Sequence, residues 1–208
     1  MKILVTGFDA FGGEEINPAQ LVVEALPNTI DNHTIIKQII PTIRYESFNV
    51  VKKIIDEECP DVIISIGQAG GNTDIAVERV AINCDDYRIK DNGGNQPIDE
   101  RISEDGENAY FSTLPIHSIV ENIKNEKIPV HISNSAGTFV CNHIFYSIRH
   151  YIETNHLPIY SGFIHIPFIP SQVINKSNMA SMSLETIAKA IQIAIQTIIN
   201  EKSLLHKQ

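Results

Sequence analysis

The sequence predicts an α/β protein: a three-layer α/β/α arrangement around a twisted, mostly parallel mixed sheet, folded as a single domain over residues 1–208. Three observations carry this expectation. Apolar runs of strand length alternate with longer stretches of helical spacing, the pattern of βαβ units whose sheet is covered by helices on both faces. The chain has 208 residues, the size of one domain or a tightly fused pair. Hydrophobic residues make up 43% of it and charged residues only 20%, enough to bury a large core and far from the composition of disorder.

In order along the chain, Lys2–Phe8 reads as a strand, Pro18–Leu26 as a helix and Thr34–Ile40 as a strand. Ser47–Glu58 follows as a helix and Asp61–Ile66 as a strand. After the turn GQAGG, Ile75–Asn83 is rich in β-branched residues and is predicted as one further strand, paired antiparallel with a neighbour. Arg88–Leu114 is rich in Asp, Asn, Gly and Glu without a steady period, and an irregular stretch of that length is expected to act as a functional lid. The alternation then resumes with a helix near His117–Lys127, a strand at Pro129–Ser133, a helix from about Val140 to Glu153 and a strand at Pro158–Ile166. A last helix runs from about Ser183 to Glu201, with Ser183 as its cap, Glu185 in its first turn, and Ile187, Ile191, Ile195 and Ile198 along one face. The chain contains no internal repeat, linker or low-complexity segment.

Charge narrows the partners. The chain carries 16 Lys and Arg against 25 Asp and Glu, a net charge of −9, which opposes a nucleic-acid backbone or an anionic membrane and suits a small or neutral substrate. The start MKILVTGFDAFGG lacks the apolar stretch of a signal peptide, and no run of about 18 apolar residues is present to span a membrane. Cys59, Cys84 and Cys141 are odd in number, far apart and never in a CxxC arrangement, which favours neither a disulfide framework nor a zinc site. A cytoplasmic protein with reduced thiols is expected.

Four segments could carry chemistry. GFDAFGG, positions 7 to 13, sits between a strand and a helix, where dinucleotide-binding loops lie. It lacks GxGxxG, and none of the six tyrosines has Lys four residues later, as the YxxxK pair of short-chain dehydrogenases requires. A nucleotide-dependent oxidoreductase is the weaker reading of this loop. Phe8 and Phe11 flank Asp9 there, either as core residues closing the first strand or as the apolar wall of a ligand pocket.

SNSAGTFVCNHIFY, positions 133 to 146, is a strand, a small-residue turn and a helix with Cys141 in its first turn. A helix N-terminus favours thiolate over thiol, and its N–H groups can donate to an oxyanion. An inert buried thiol is the alternative. His143 lies two residues on, about 200° around the helix, and so points away from Cys141. In SGFIHIPFIP the strand-like run holds one ionisable side chain, His165, near its carboxyl end. In a parallel sheet that end would share a rim with the turn before Cys141, making a Cys–His pair reasonable; a satisfied core histidine is the alternative. In GQAGGNTDIAVERVAIN a strand would place Glu78 on one face with Ala76, Val80 and Ile82, opposite Arg79. A carboxylate there could orient an imidazole, the third role of a nucleophilic triad, or could lie exposed on a sheet edge.

Together these segments resemble the pyrrolidone-carboxyl peptidases, also called pyroglutamyl-peptidase I, in the expected order over most of the chain. The resemblance implies hydrolysis of the bond between an N-terminal pyroglutamyl residue and the rest of a peptide, by a cysteine peptidase. It implies that Cys141 of the FVCN motif is the nucleophile, His165 of HIP the base and Glu78 of AVER its orienting partner. Phe8, Phe11, Gln68, Ile89 and Phe139 match positions around the substrate in that family. The resemblance implies a homotetramer and neither a metal nor a nucleotide cofactor. Ala10 and Lys90 stand where the family commonly has Pro, so a looser entry loop and lid are expected. A catalytically silent α/β binding module is the remaining alternative.

Overall fold

The computed structural model describes residues 1–205. The elements are β1 (Lys2–Phe8), α1 (Pro18–Ala25), β2 (Thr29–Ile30), β3 (His33–Ile40), α2 (Glu46–Glu58), β4 (Val62–Gln68), β5 (Ile75–Glu78) and β6 (Val80–Ile82). They continue with β7 (Ala109–Phe111), α3 (Ile116–Asn125), β8 (Val130–Ser133), α4 (Val140–Thr154), β9 (Tyr160–Ile166), α5 (Pro170–Val173) and α6 (Leu184–Leu205). Among the described residues, seven strands form one sheet in the order β2-β3-β1-β4-β9-β5-β8, and β6 pairs with β7 in a separate ribbon. The neighbours β3, β1, β4 and β9 run parallel, as the βαβ alternation predicts.

The central strands are buried on both faces, which is why they read as continuous apolar runs. Odd positions of β1, Ile3 and Val5, pack with Ile64, Ile66 and Ile164 against α1, α3 and α6. Leu4 and Phe8 point the other way, with Ile63 and Phe163, against α2 and α4. The result is the expected α/β/α layering. Asn17 caps α1 by accepting from the Ala19 N–H at 2.9 Å, with Pro18 at the first helical position, where its missing N–H costs nothing. Ser183 caps α6 by accepting from the Thr186 N–H at 3.1 Å, and the helix runs on to Leu205.

Three departures from the sequence expectation bear on the site. The segment Ile75–Asn83 is not one strand. After Glu78 the Arg79 N–H bonds the Ser133 carbonyl and the Arg79 carbonyl accepts from Ser112, so the chain peels away from β9 and enters the ribbon. Asn142 of α4 holds that ribbon's outer edge, accepting from the Ile82 N–H and donating to the Ile82 and Cys84 carbonyls. Arg88–Leu114 contains β7 and is tied to the body of the protein rather than hanging over it. Asp91 accepts from the backbone N–H groups of Arg44, Gly93 and Asn95, and Asn83 accepts from those of Ile102 and Ser103. Finally, β5 is antiparallel to β9 while β8 is parallel to β5. The end of β8 therefore does not share a rim with the end of β9.

β1 and α1 approach so closely at Gly7 that an added Cβ would come within 2.6 Å of the Ala19 carbonyl oxygen. Backbone cannot yield as a flexible side chain can. Gly7→Ala is expected to destabilise the fold by about 1–3 kcal/mol through overpacking, read as a lower denaturation midpoint with an unchanged slope.

Candidate active site

Strand register brings the first two groups together. β5 and β9 place Ala76 opposite His165 and Glu78 opposite Phe163, so Glu78 and His165 are diagonal neighbours on one face of the pair. The His165 Nδ1 lies 2.8 Å from Glu78 Oε1. An ionised carboxylate only accepts, so Nδ1 carries the proton and Nε2 is left for another partner. Both side chains are withdrawn from bulk solvent, Glu78 at 2% exposure and His165 at 8%.

That other partner is Cys141, whose sulfur stands beside the ring on the same cavity. Because β8 runs against β9, the loop after Ser133 has to carry the chain back over the sheet, and its residues Ser135–Phe139 form part of the cavity wall. Phe139, extended and without a side-chain cap, then starts α4 with Cys141 in its first turn. The thiol rests over Gly67 of β4, where an added Cβ would stand 2.8 Å from Sγ and 2.7 Å from the Phe163 ring. Only glycine leaves room for the sulfur at that point.

Electrostatics favour a charged imidazole. Burial alone would depress the His165 pKa, but the negative charge and hydrogen bond of Cys141, with those of Glu78, outweigh it and raise the value to about 10. The imidazole is thus held as imidazolium beside the Cys141 sulfur, which sits at the positive end of α4. A thiolate, a protonated histidine and a carboxylate that fixes its orientation can together perform nucleophilic acyl transfer, the thiolate attacking and the imidazolium supplying a proton to the leaving group.

These three side chains open on a cavity of about 900 Å³. Phe11, Gln68, Ile89 and Phe139 line it as well. The Phe11 and Phe139 rings pack at 5.8 Å, and Tyr87 meets Phe139 edge-on at 4.7 Å from behind. Phe8 does not line the cavity. It is 2% exposed, its ring 6.4 Å from that of Phe163, because the even positions of β1 face the α2 and α4 layer. Of the two readings open for Phe8, the core one describes its position. His143 is equally remote from Cys141, buried with its Nδ1 2.7 Å from Asp85 Oδ2, as the helical rotation required.

The entry loop is held more firmly than Ala10 and Lys90 suggested. Asn92 donates to the Ala10 carbonyl at 2.8 Å, and Asp9 accepts from the Thr42 N–H at 2.7 Å. Several cavity residues were not singled out from the sequence. Arg88 lies beside Ile89 in an aperiodic loop, and His131 is paired with Asp74 at 2.8 Å on the wall. Neither residue belongs to a pattern that spacing could expose. Among the described residues no group of three or more His, Cys, Asp or Glu side chains is placed to hold a metal ion.

A family model described as pyroglutamyl peptidase matches residues 1–201. The pyrrolidone-carboxylate peptidase of Finegoldia magna is 58% identical over 200 residues, covering 96% of this chain and 94% of the relative. That of Fusobacterium nucleatum is 55% identical over 206 residues, covering 99% and 96%. The crystal structure of Bacillus amyloliquefaciens pyroglutamyl peptidase I superposes with a TM-score of 0.91 at 48% identity, covering 95% of this chain and 96% of that one. The pyrrolidone carboxyl peptidase of Thermococcus litoralis gives 0.94 at 36%, covering 97% and 94%. The dinucleotide reading of the first loop is not favoured by these similarities.

A histidine whose folded pKa is raised above its ordinary 6.5 contributes stability that is complete below that value and fades as pH climbs through about 10. His165 is therefore expected to keep its proton through neutrality, followed by the ring resonance in NMR. In Glu78→Gln one of the charges holding that proton is gone, and the titration should move to lower pH. An unchanged midpoint in the variant would contradict the coupling.

Proposed function

Because this chain belongs to the pyroglutamyl peptidase family, whose members are cysteine-type hydrolases, we propose that it removes pyroglutamate from peptide N-termini by way of Cys141, His165 and Glu78. The Cys141 thiolate attacks the pyroglutamyl carbonyl carbon, forming a C–S bond while the carbonyl oxygen takes up negative charge. First-turn N–H groups of α4 can meet that charge. His165 protonates the amine as the C–N bond breaks, leaving an acyl-enzyme. It then takes a proton from water, whose oxygen attacks the thioester to release pyroglutamate and restore the thiolate. Glu78 holds the imidazole at Nδ1 and steadies its charge throughout.

The observation that carries this reading is a Cys141–His165–Glu78 cluster opening on one cavity, with Phe11, Gln68, Ile89 and Phe139 in the same wall. A lactam is neutral and compact, and apolar walls with an amide suit it. We place Phe8 behind this wall, supporting Phe163. Residues 1–208 are taken as one peptidase domain.

A homo-oligomer, as a tetramer, is part of the proposal. It is supported by apolar side chains that the chain leaves in water, Phe111 at 65% and Ile82 at 36% on the ribbon and Ile98 at 77% in the loop between its strands. A cytoplasmic location fits the three unpaired cysteines. No helix among the described residues is long and apolar enough to cross a membrane.

Purified protein is expected to release a chromogenic amine from its pyroglutamyl amide, and prior iodoacetamide to abolish this. Cys141→Ala and Cys141→Ser should each lose on the order of 10⁴ or more in kcat while melting as the parent does. Full activity in either variant would exclude Cys141 as nucleophile. The profile of kcat/KM against pH should be bell-shaped, with its alkaline limb well above 6.5 because His165 gives up its proton late.

A further inference from the structure

The strand register draws a line across the cavity floor. Gly67 of β4 pairs with His165 of β9, His165 with Ala76 of β5, and Ala76 with His131 of β8. Residues directly opposite one another present their side chains to the same face of a sheet. The Gly67 gap that seats the Cys141 sulfur, the His165 imidazole, the Ala76 methyl and the His131 ring therefore follow one another in a row, and the last four of these groups line the cavity.

The two ends of the row differ in kind. On the β1 side of the sulfur stand apolar groups: Phe11 in the loop after β1, packed on Phe139, and Ile89, which lies 3.6 Å from where a Cβ on Gly12 would stand. At the other end the floor passes to β8, the edge strand of the sheet. There His131 Nδ1 lies 2.8 Å from Asp74 Oδ2, and the two side chains are 47% and 26% exposed at the cavity rim. Asp74 Oδ2 is the oxygen that meets the ring, which leaves Oδ1 for a cation. Of the basic side chains at the cavity, Arg88 adjoins Ile89 at the apolar end and Lys176 is paired with Glu14. The outer end thus presents negative charge, in a chain whose net charge is −9.

The pyroglutamyl reading of the reaction gives the two ends their occupants. A neutral ring suits the apolar end, and the bond to be cut lies at the sulfur and beside His165, which protonates the leaving nitrogen. The leaving chain is then directed over Ala76, where a methyl is the only side-chain bulk between two imidazoles. Neighbouring strands are about 4.8 Å apart, so β8 stands about 10 Å beyond β9. An extended peptide advances about 3.3–3.6 Å per residue, which brings the second residue after pyroglutamate over Ala76 and its side chain against Asp74 and His131. A cavity of about 900 Å³ has room for a ring and two residues.

We propose that Asp74, held by its bond to His131, selects the second residue after pyroglutamate, favouring Lys or Arg there over Asp or Glu. This rests on the pyroglutamyl reading of the reaction. Because β8 is the sheet edge, a longer peptide runs out past the pair into solvent.

The test compares pyroglutamyl-Ala-Lys-amide with pyroglutamyl-Ala-Glu-amide by release of pyroglutamate, as the ratio of their kcat/KM values. Amidation removes a terminal carboxylate that would act at the same place. The parent is expected to favour Lys about tenfold at low salt, attraction and repulsion each contributing about threefold as exposed ion pairs do. That preference should fall several-fold by about 1 M salt, where charges are screened within about 3 Å. Asp74→Asn should bring the ratio to within about twofold of one, and His131→Lys should reverse it. With the charged residue moved to the position directly after pyroglutamate, the parent's ratio should be several-fold smaller. Melting temperatures identify a variant that fails to fold, and the other then carries the comparison. A parent ratio near one, a ratio unchanged in a folded variant, or an equal ratio at the neighbouring position would overturn the assignment. So would turnover of a chromogenic pyroglutamyl amide but of neither tripeptide. No turnover of that amide by the parent would count instead against the reading of the reaction.

Discussion

The antiparallel pairing of β5 with β9 is the constraint on which the rest of the site depends. On one side of β9 the strands β4, β1 and β3 run parallel to it, and the reversal of direction at the β9–β5 seam sets Glu78 diagonally across from His165. No loop has to be ordered to bring the two side chains to 2.8 Å, because the ladder hydrogen bonds and the buried apolar faces around them already hold both backbones. The entropy of arranging the pair is met by the folding of the sheet. A substrate therefore meets a carboxylate and an imidazole that are already in place.

The third member is placed by exclusion of volume. Phe163, wholly buried and packed on the rings of Phe8, Phe145 and His165, forms the floor below the sulfur. Gly67 supplies the gap in which Sγ fits. Together they determine how near α4 can come to the sheet, and hence how near the thiol comes to the ring. The irregular loop before α4 contributes cavity wall and leaves the first turn without a side-chain cap. The positive end of the helix is thus turned toward the chemistry rather than neutralised by its own side chains.

The protein contains a second buried histidine and carboxylate, and the contrast explains why one pair suits chemistry. His143 and Asp85 are as close as His165 and Glu78 and at least as buried. The oxygen of Asp85 that His143 contacts also accepts from Arg44 at 2.6 Å, and Arg44 in turn bonds Glu100. That carboxylate is committed to a structural ion network anchoring the loop that carries Glu100. Among the described residues Glu78 has no such cation at its bonded oxygen, and its histidine stands beside the Cys141 sulfur on an open cavity. Similar chemical groups serve architecture in one place and reaction in the other because of what stands on their far side.

The sequence by itself determined the layered α/β class and nearly every long element, and it singled out Cys141, His165 and Glu78 while leaving an inert thiol, a core histidine and an exposed carboxylate open as readings. Each of these is written locally: period 2 or 3.6 in the apolar residues, a cysteine just inside a helix start, a single histidine in an apolar strand. The approach of Glu78 and His165, 87 residues apart, was legible only because an isolated carboxylate on an apolar face requires a partner. Tertiary structure alone decided the rest. It broke Ile75–Asn83 into two strands, turned β8 against β9, and buried Phe8 while opening Phe11 to the cavity. Strand direction leaves no periodic trace in the chain. It is set by which backbone donor or acceptor comes opposite, and that is known only once distant segments have met.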